Sequence, residues 1–337
     1  MREQIEILPD EAEVRLDRWF KRHYPHVTHG QLEKLLRTGQ VRLDGKRVKA
    51  NARLAPGQKM RVPPMIDSIK APSAIANPAV KKQLSQWVLF EDADVLILNK
   101  PPGLAVQGGT GQTRHLDAML DAWRDKNGDR PKLVHRLDRD TSGVLVLAKT
   151  TFAATALAAA FRARDTRKVY WAVTIGAPKP QQGRIDLAVK KVGEIMVGAE
   201  DNDPEAKDAA TLYAVLEPAG KQAALVALWP LTGRTHQLRV HLQAIGTPIL
   251  GDPVYKPAIR VDGSVEANWP KGELYDGLHL HARRLTIPHP RGGTIDAVAP
   301  VPPALQKSFS WFNFTGDHPD PFDGETGHDH KRPREKK

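Results

Sequence analysis

Short apolar runs with the length and composition of buried β-strands dominate most of this 337-residue chain. The clearest are SGVLVLAK at 142–149, KVYWAVTIG at 168–176 and AALVALWPL at 223–231. Helical patterns, such as those at 151–164 and 233–246, are fewer and do not alternate regularly with the strands. This order argues against a doubly wound parallel fold. It predicts an α+β fold with a mixed, largely antiparallel sheet.

Positive charge is concentrated near the amino terminus. The chain carries a net charge of +11, and between Val14 and Val62 thirteen Lys and Arg side chains stand against three acidic ones. This short stretch therefore holds ten of the eleven net charges, and the rest of the chain is close to neutral. Such a local excess favours a module that binds a polyanion, with a merely solvated basic surface as the alternative.

The same stretch has the patterns of a complete small module. Apolar residues predict a short helix at 14–24, and a second helix follows with Thr28 as its N-cap and Gly39 just past its end. Asp44-Gly45 between two strand-like runs is typical of a hairpin turn. We therefore expect a small α+β domain here.

Composition divides the chain into four parts. Residues 1–62 form the basic module, and 63–86, which contain four prolines and no clear periodicity, are predicted to be a linker. Residues 87–314 carry the strand and helix signals of the larger domain. Residues 315–337 are polar and rich in Pro, Gly and charge, and are predicted to be a disordered tail.

Several function classes are excluded by composition. The chain has no cysteine, which rules out disulfides, thiolate zinc sites and thiol nucleophiles. No apolar run approaches 18 residues, and the amino terminus has neither the charged nor the apolar region of a secretory signal. We therefore expect a cytoplasmic protein that does not interact with membranes.

Four motif blocks follow one another along the chain: Asn99-Lys100-Pro101, His135–Gly143, Arg167–Gly176 and Pro230–Asp252. Together they resemble the RluA-type pseudouridine synthases. The second block, HRLDRDTSG, is similar to the active-site motif of that family and leads directly into an apolar, strand-like run. The Arg-Asp-Thr-Ser-Gly variant and the Ala-Val-x-Gly-Gly loop at 105–109 are closest to the RluC-like members, which act on large-subunit ribosomal RNA.

The amino-terminal module resembles the S4 RNA-binding domain. The similarity rests on Arg15-Leu16-Asp17-Arg18 and the segments LEKLLRTGQVRLDGKRV and LAPGQKMRV. One departure is the pair Thr28-His29 where the family often has Ser-Arg, so a fixed positive charge is lost. The resemblance implies RNA contacts from the basic side chains Arg15, Arg18, Lys34, Arg37, Arg42, Lys46 and Arg47.

The resemblance to the synthases implies three catalytic residues. Asp138 stands at the position of the family's catalytic aspartate, and Arg234 at that of an arginine expected to pair with it and keep it ionised. Tyr170 matches the tyrosine of the Lys-x-Tyr strand and would stack on the uracil. The structural alternatives are a turn or cap aspartate, an exposed arginine at a helix start and a half-buried strand tyrosine.

Other residues near these motifs have more than one possible role. Arg136 precedes the predicted nucleophile, and could either fill the space left by a flipped-out base or contact a phosphate. Lys168 is expected to face the same side as Tyr170. Leu238 is either a wall below the base or a core residue, and Asp140 is assigned a structural role.

Isomerisation of uridine to pseudouridine changes no oxidation state, so the resemblance implies neither a metal nor an organic cofactor. The implied partner is RNA, namely 23S-type ribosomal RNA or a pre-ribosomal particle, and the protein is expected to be a monomer. Alternatives are a tRNA-modifying relative, a non-catalytic RNA-binding or ribosome-assembly factor, and a hydrolase built on Ser142 and His135. His279 and His281 could share a strand face, but no third metal ligand accompanies them.

Overall fold

The computed structural model describes most of the chain, in two compact units whose boundary lies between residues 77 and 78. The described residues are 3–24, 27, 29–66, 78–108, 114–125, 129–163, 165–200, 203–256 and 272–325. The predicted cap Thr28 lies outside these residues. Within the described ranges, no helix is both long enough and apolar enough to cross a membrane.

The first unit packs two helices on a small antiparallel sheet. Its strands and helices are β1 (Glu3–Glu6), α1 (Leu16–His23), α2 (His29–Arg37), β2 (Arg42–Leu43) and β3 (Lys59–Val62), and the sheet order is β1-β3-β2. Helix α1 buries Leu16, Trp19 and Phe20, whose spacing of three and four places them on one face. Asp44 and Gly45 both have positive φ, 49° and 75°, as the predicted hairpin turn requires.

The second unit is built around one large sheet. Its elements are α3 (Pro78–Ser85), β4 (Val88–Glu91), β5 (Val95–Lys100), α4 (Leu116–Met119), β6 (Lys132–Leu133), β7 (Ser142–Ala148), α5 (Thr151–Ala163), β8 (Arg167–Ile175), β9 (Gln182–Asp186), β10 (Ala188–Val192), β11 (Ile195–Ala199), β12 (Ala210–Ala219), β13 (Ala223–Pro230), α6 (Gln237–Ala244), β14 (Leu280–Pro288), β15 (Thr294–Val298) and α7 (Pro303–Phe312). The main strand order is β4-β5-β7-β14-β8-β13-β12-β9. Among the pairs of strands named above, only β7 with β14 is parallel, so the predicted α+β fold with a largely antiparallel mixed sheet is confirmed.

Helices cover both faces of this sheet, which explains the unbroken apolar runs of its central strands. In β7, Leu145 and Leu147 pack with α3 and α4, whereas Val144 and Val146 pack with α5. In β13, alternate residues contact either α6 or α7 in the same way. Successive side chains of a strand point to opposite faces, so both sets must be apolar.

The segments predicted to be a linker and a disordered tail both include residues that are folded in the structure. Ile66 is fully buried in the core of the first unit, and α3 buries Leu84 in the second unit, so both ends of the 63–86 stretch are folded. The segment 315–325 also packs on the second unit, because Phe322 lies against Trp229 and Asp320 pairs with Arg167. The prediction of disorder was wrong for this segment, and residues 67–77 and 326–337 lie outside the described ranges.

Candidate active site

The polar run of residues 134–141 is a loop between β6 and β7, held against the strand that follows it. His135 accepts a hydrogen bond at Nε2 from the Val146 backbone N–H (2.8 Å), and its ring stacks on Phe161. Burial lowers the pKa of His135 to about 3, so the imidazole is neutral. His135 therefore anchors the loop.

A buried lysine ties this loop to its neighbour. Lys100, at the end of β5, has no exposed surface, and its Nζ donates to the carbonyls of Pro101, Leu104 and Arg139 at 2.8–2.9 Å. Burial lowers the pKa of Lys100 to about 7, although the charges of Asp140 and Asp138 act in the opposite direction. The ammonium thus joins the Asn-Lys-Pro segment to the loop that carries Asp138.

The start of β7 is fixed by a close approach to β14. Ser142 lies opposite His281, and its Oγ is 2.9 Å from His281 Nδ1, while His281 Nε2 faces the Ala299 carbonyl at 3.2 Å. The carbonyl requires Nε2 to donate, so the Ser142 hydroxyl donates to Nδ1. Both side chains are buried, and Ser142 bonds His281 instead of His135. This arrangement removes the basis for a hydrolase built on Ser142 and His135.

The Asp138 carboxylate is half-buried, with 25% of its side chain exposed, and faces the first turn of α6. His236 Nε2 lies 3.9 Å from Asp138 Oδ2. The predicted ion pair between Arg234 and Asp138 is wrong, because Arg234 Nε instead donates to the Asp208 carbonyl at 3.1 Å. Helix α6 begins only at Gln237, so Arg234 lies in the preceding turn, where its backbone N–H donates to Gln237 Oε1.

The fixed cation next to this site is Arg239, on the buried side of α6. Its Nε and one terminal nitrogen each bond an Asp252 oxygen at 2.7 Å, and its guanidinium lies 4.9 Å from the centre of the Tyr255 ring. Burial opposes the charge, but the hydrogen bonds and charge of Asp252, together with the charge of Asp138, raise the pKa of Arg239. Arg239 therefore holds a permanent positive charge whose field reaches Asp138.

Tyr170 lies in the middle of the sheet on the same side as α4 and α6. It occupies the junction of two apolar clusters, and one of these contains Leu238. Burial, together with the negative charge of Asp138, raises the pKa of Tyr170. Lys168 follows the same face of β8, and burial lowers the pKa of its ammonium. The structure therefore brings Asp138, Tyr170 and Leu238 into one region, with Arg234 turned away.

Comparison with known proteins identifies this region. The sequence profile described as RNA pseudouridylate synthase matches residues 94–244. Ribosomal large subunit pseudouridine synthase C of Vibrio parahaemolyticus is 34% identical over 90% of this chain and 94% of its own length. The chain belongs to the RNA pseudouridylate synthase family. It is an isomerase that acts on RNA.

Two further similarities extend over most of the synthase. An RNA pseudouridine synthase of Synechocystis is 33% identical over 87% of this chain and 88% of its own length. The solved structure of human RNA pseudouridylate synthase domain containing 4 superimposes with a TM-score of 0.59 at 30% identity, covering 71% of this chain and 97% of the human one. The fold of the second unit is therefore that of the family.

Arg136 differs from the other arginines of the synthase active site. It is exposed, and its guanidinium makes no hydrogen bond or ion pair within the described part of the chain. By contrast, the neighbouring Arg139 is bound by both oxygens of Asp140, which is consistent with a structural role for Asp140. Arg136 thus remains available to an RNA substrate.

The basic residues of the first unit fall into two groups. Arg15 is paired with Asp17, and Arg42 donates to the Gly39 and Gly45 carbonyls, so both support local structure. The remaining side chains are exposed: Arg18, Lys34, Arg37, Lys46 and Arg47. Two of these cations, Arg37 and Arg47, line a cleft on this unit together with Arg15 and Lys49 and with the acidic Asp17 and Glu33.

Sequence reasoning missed three residues of the site. Lys100, Arg239 and His236 all lie inside motif blocks, so the blocks were the available signal. Periodicity alone could not show which arginine of GRTHQLR faces Asp138, because that depends on where α6 begins. Of the histidines considered for metal binding, His279 contacts Ser308 and the Leu250 carbonyl, and His281 contacts Ser142.

Proposed function

We propose that this synthase isomerises uridines of large-subunit ribosomal RNA, with Asp138 as the nucleophile. The observation that carries the proposal is the environment of the Asp138 carboxylate. It is partly exposed, held in an anchored loop, and near enough to Tyr170 and Arg239 for its charge to affect the pKa of both. The relatives named for the large ribosomal subunit support that choice of RNA over tRNA.

Each neighbour of Asp138 has a distinct electrostatic effect. The permanent cation of Arg239 favours the ionised carboxylate, which is the form able to act as a nucleophile. Because Asp252 holds Arg239 through two bonds, the cation cannot swing away from the site. Arg239 therefore has the electrostatic role that the resemblance to the synthases implied for Arg234.

The reaction needs no group beyond these side chains. The N1–C1′ glycosidic bond of uridine breaks as the ionised Asp138 acts on the sugar or the base. The released uracil then turns, and a C5–C1′ bond forms. The hydrogen at C5 leaves as a proton, and N1 gains one, so atoms and electrons balance without a redox partner.

Tyr170 and Leu238 supply the surface on which the uracil turns. A phenol ring has few rotatable bonds and a flat face suited to stacking on a base. Its raised pKa keeps the Tyr170 hydroxyl protonated, which favours packing over a role as a general base. Lys168, on the same face of β8, lies where it would meet the phosphate or a carbonyl of the flipped nucleotide.

Access to a stacked uridine requires that the base leave the helix, at a cost of a few kcal/mol. Arg136 is exposed, unpaired within the described residues and two positions from Asp138. We propose that its guanidinium contacts RNA at the vacated position or at the adjacent phosphate.

We further propose that the first unit is an S4-like RNA-binding domain. Its support is the concentrated charge between Val14 and Val62 and the exposed cations Arg18, Lys34, Arg37, Lys46 and Arg47. Large-subunit RNA or a pre-ribosomal particle would then be bound by both units of a monomer, in the cytoplasm where ribosomes assemble.

The catalytic assignment is tested by Asp138→Asn in a tritium-release assay with RNA carrying 5-tritiated uridine. Only isomerisation displaces hydrogen from C5, so the assay separates a synthase from an RNA-binding factor. We expect Asp138→Asn to abolish release and to bind RNA as well as the wild type, because the amide is isosteric but not nucleophilic.

Asp140→Asn is the matched control. Asp140 lies two residues away on the same loop and pairs with Arg139, so its loss should leave turnover within a few-fold of the wild type. If Asp138→Asn retains turnover within about tenfold, a barrier difference of roughly 1.4 kcal/mol, the assignment of the nucleophile is wrong.

A further inference from the structure

His236 has an unusual backbone for a side chain of its size. It lies immediately before α6 with φ 52° and ψ 15°, in the left-handed region. Among residues other than glycine this conformation is uncommon, and asparagine, aspartate and histidine adopt it most often. The turn alone therefore does not select histidine over asparagine or glycine, and left-handed backbone at residues other than glycine concentrates at functional sites.

The hydrogen bonds of Tyr255 fix the tautomer of the His236 ring. Tyr255 Oη accepts the backbone N–H of Met196 (3.1 Å) and lies 2.9 Å from His236 Nδ1. Among the described residues, Nδ1 is the one acceptor bonded to the phenol, so the O–H donates to Nδ1, and a neutral imidazole then carries its own proton on Nε2. Tyr255 is buried and covered by the Arg239 guanidinium, so it cannot easily turn away.

Nε2 is the ring nitrogen that faces the proposed nucleophile, 3.9 Å from Asp138 Oδ2. In the described part of the chain, the hydrogen bonds of the Arg239 guanidinium go to Asp252, and none reaches Asp138. The site thus has a cation that supplies charge and, separately, one N–H aimed at a single oxygen of the carboxylate.

We propose that His236 is a positioning residue for Asp138, whose Nε2–H donates to Oδ2 and leaves Oδ1 to react. The inference rests on the proposed role of Asp138. The gap must shorten by about 1 Å to reach hydrogen-bond distance, and catalytic hydrogen bonds are often long before substrate binds. His236 holds its proton throughout and exchanges none with the substrate.

The charges around the ring keep it neutral. Burial lowers the pKa of His236, and Arg239 and Arg136 act in the same direction, outweighing Asp138 and Asp252, which favour protonation. Near neutral pH the ring is therefore the Nε2–H tautomer described above, with Nδ1 as acceptor.

Three substitutions separate the effect of the imidazole N–H from the effect of the left-handed backbone. His236→Gly and His236→Asn both suit the left-handed conformation, and asparagine offers a donor only near the position of Nδ1. His236→Gln places an amide N–H near the position of Nε2. We expect roughly ten- to hundredfold loss of kcat for Gly and Asn with little change in KM, and turnover within about threefold of the wild type for Gln.

Wild-type kcat in the Gly or Asn variant would overturn the proposal, since only the backbone conformation would then matter. A Gln variant as slow as Asn would also overturn it, because the donor would not have rescued activity. Thermal denaturation of each variant confirms that it is folded. Tyr255→Phe provides a second probe, since loss of the tautomer lock should lower kcat by a few-fold, and unchanged kcat counts against the mechanism.

Asp138→Asn is assayed in parallel to separate the two claims. If Asp138→Asn is inactive and the His236 variants match the wild type, only the positioning role fails. If Asp138→Asn is active, the nucleophile assignment fails first, and the role of His236 fails with it.

Discussion

Gly143 occupies the most crowded backbone position of the active-site frame. As the second residue of β7, it pairs with Lys100 on one side and with Ala282 on the other. Its φ is 110°, and a Cβ added there would lie 2.2 Å from the Ala282 carbonyl oxygen. Because that neighbour is backbone in the centre of a sheet, Gly143→Ala must push two strands apart by about 1 Å or more.

The expected destabilisation has three sources. Strand separation stretches the buried bond between Ser142 and His281, and the loss of such a bond costs about 1–3 kcal/mol. A side chain at positive φ costs roughly 1–2 kcal/mol, and the remaining overlap adds strain. We expect Gly143→Ala to lower the free energy of unfolding of the second unit by at least about 3 kcal/mol, a large share of a typical domain stability.

Gly103→Ala is the matched control, since Gly103 also has positive φ, 79°, but a Cβ there meets no atom within 4 Å. Gly103→Ala should lower the free energy of unfolding only by the cost of a side chain at positive φ, about 1–2 kcal/mol. Hydrogen exchange of the β7 amides at increasing urea concentration reports the stability of the second unit for both variants. Equal losses for the two glycines would refute the argument from strand approach.

Three other outcomes follow from the structure. Truncation after residue 314 should lower the melting temperature below that of the full-length chain, because it removes Phe322 and the aspartate that pairs with Arg167; circular dichroism melts of both proteins decide, and equal melting temperatures would contradict a stabilising role for these contacts. Arg239→Gln should reduce tritium release far more than Arg234→Gln, and the reverse order would restore the original assignment. Deletion of the first 77 residues should make RNA affinity fall less steeply with log salt concentration, because fewer counterions are released on binding. Equal slopes for the truncated and full-length proteins would contradict the RNA-binding role of the first unit.

The architecture could be predicted where the sequence pattern was set by local burial. The runs of β7 and β13 are apolar throughout because helices cover both faces, and that pattern is unambiguous. Strand β12 and helix α7 were not predicted, since their stability depends on neighbours distant in sequence. The segment 315–325 was misread for the same reason: its charges and Phe322 have partners on β8, β13 and β14.

The site was predictable as motifs but not as geometry. Asp138 and Tyr170 lie in one region, whereas Arg234, which was chosen from the family motif, lies in the turn before α6. His236 precedes that helix with a left-handed backbone, a conformation that histidine adopts only in a small minority of cases, so the residue type alone does not predict it. Lys100 could not be predicted to be buried, because an isolated lysine is almost always exposed.

The most direct test of the central claim is a map of pseudouridine in large-subunit ribosomal RNA from cells that lack this gene. We expect specific positions to be unmodified in the deletion strain, to regain pseudouridine when the wild-type gene is supplied, and to stay unmodified with Asp138→Asn. Large-subunit RNA that keeps every pseudouridine in the deletion strain would contradict the proposed substrate. Restoration by Asp138→Asn would contradict the proposed chemistry.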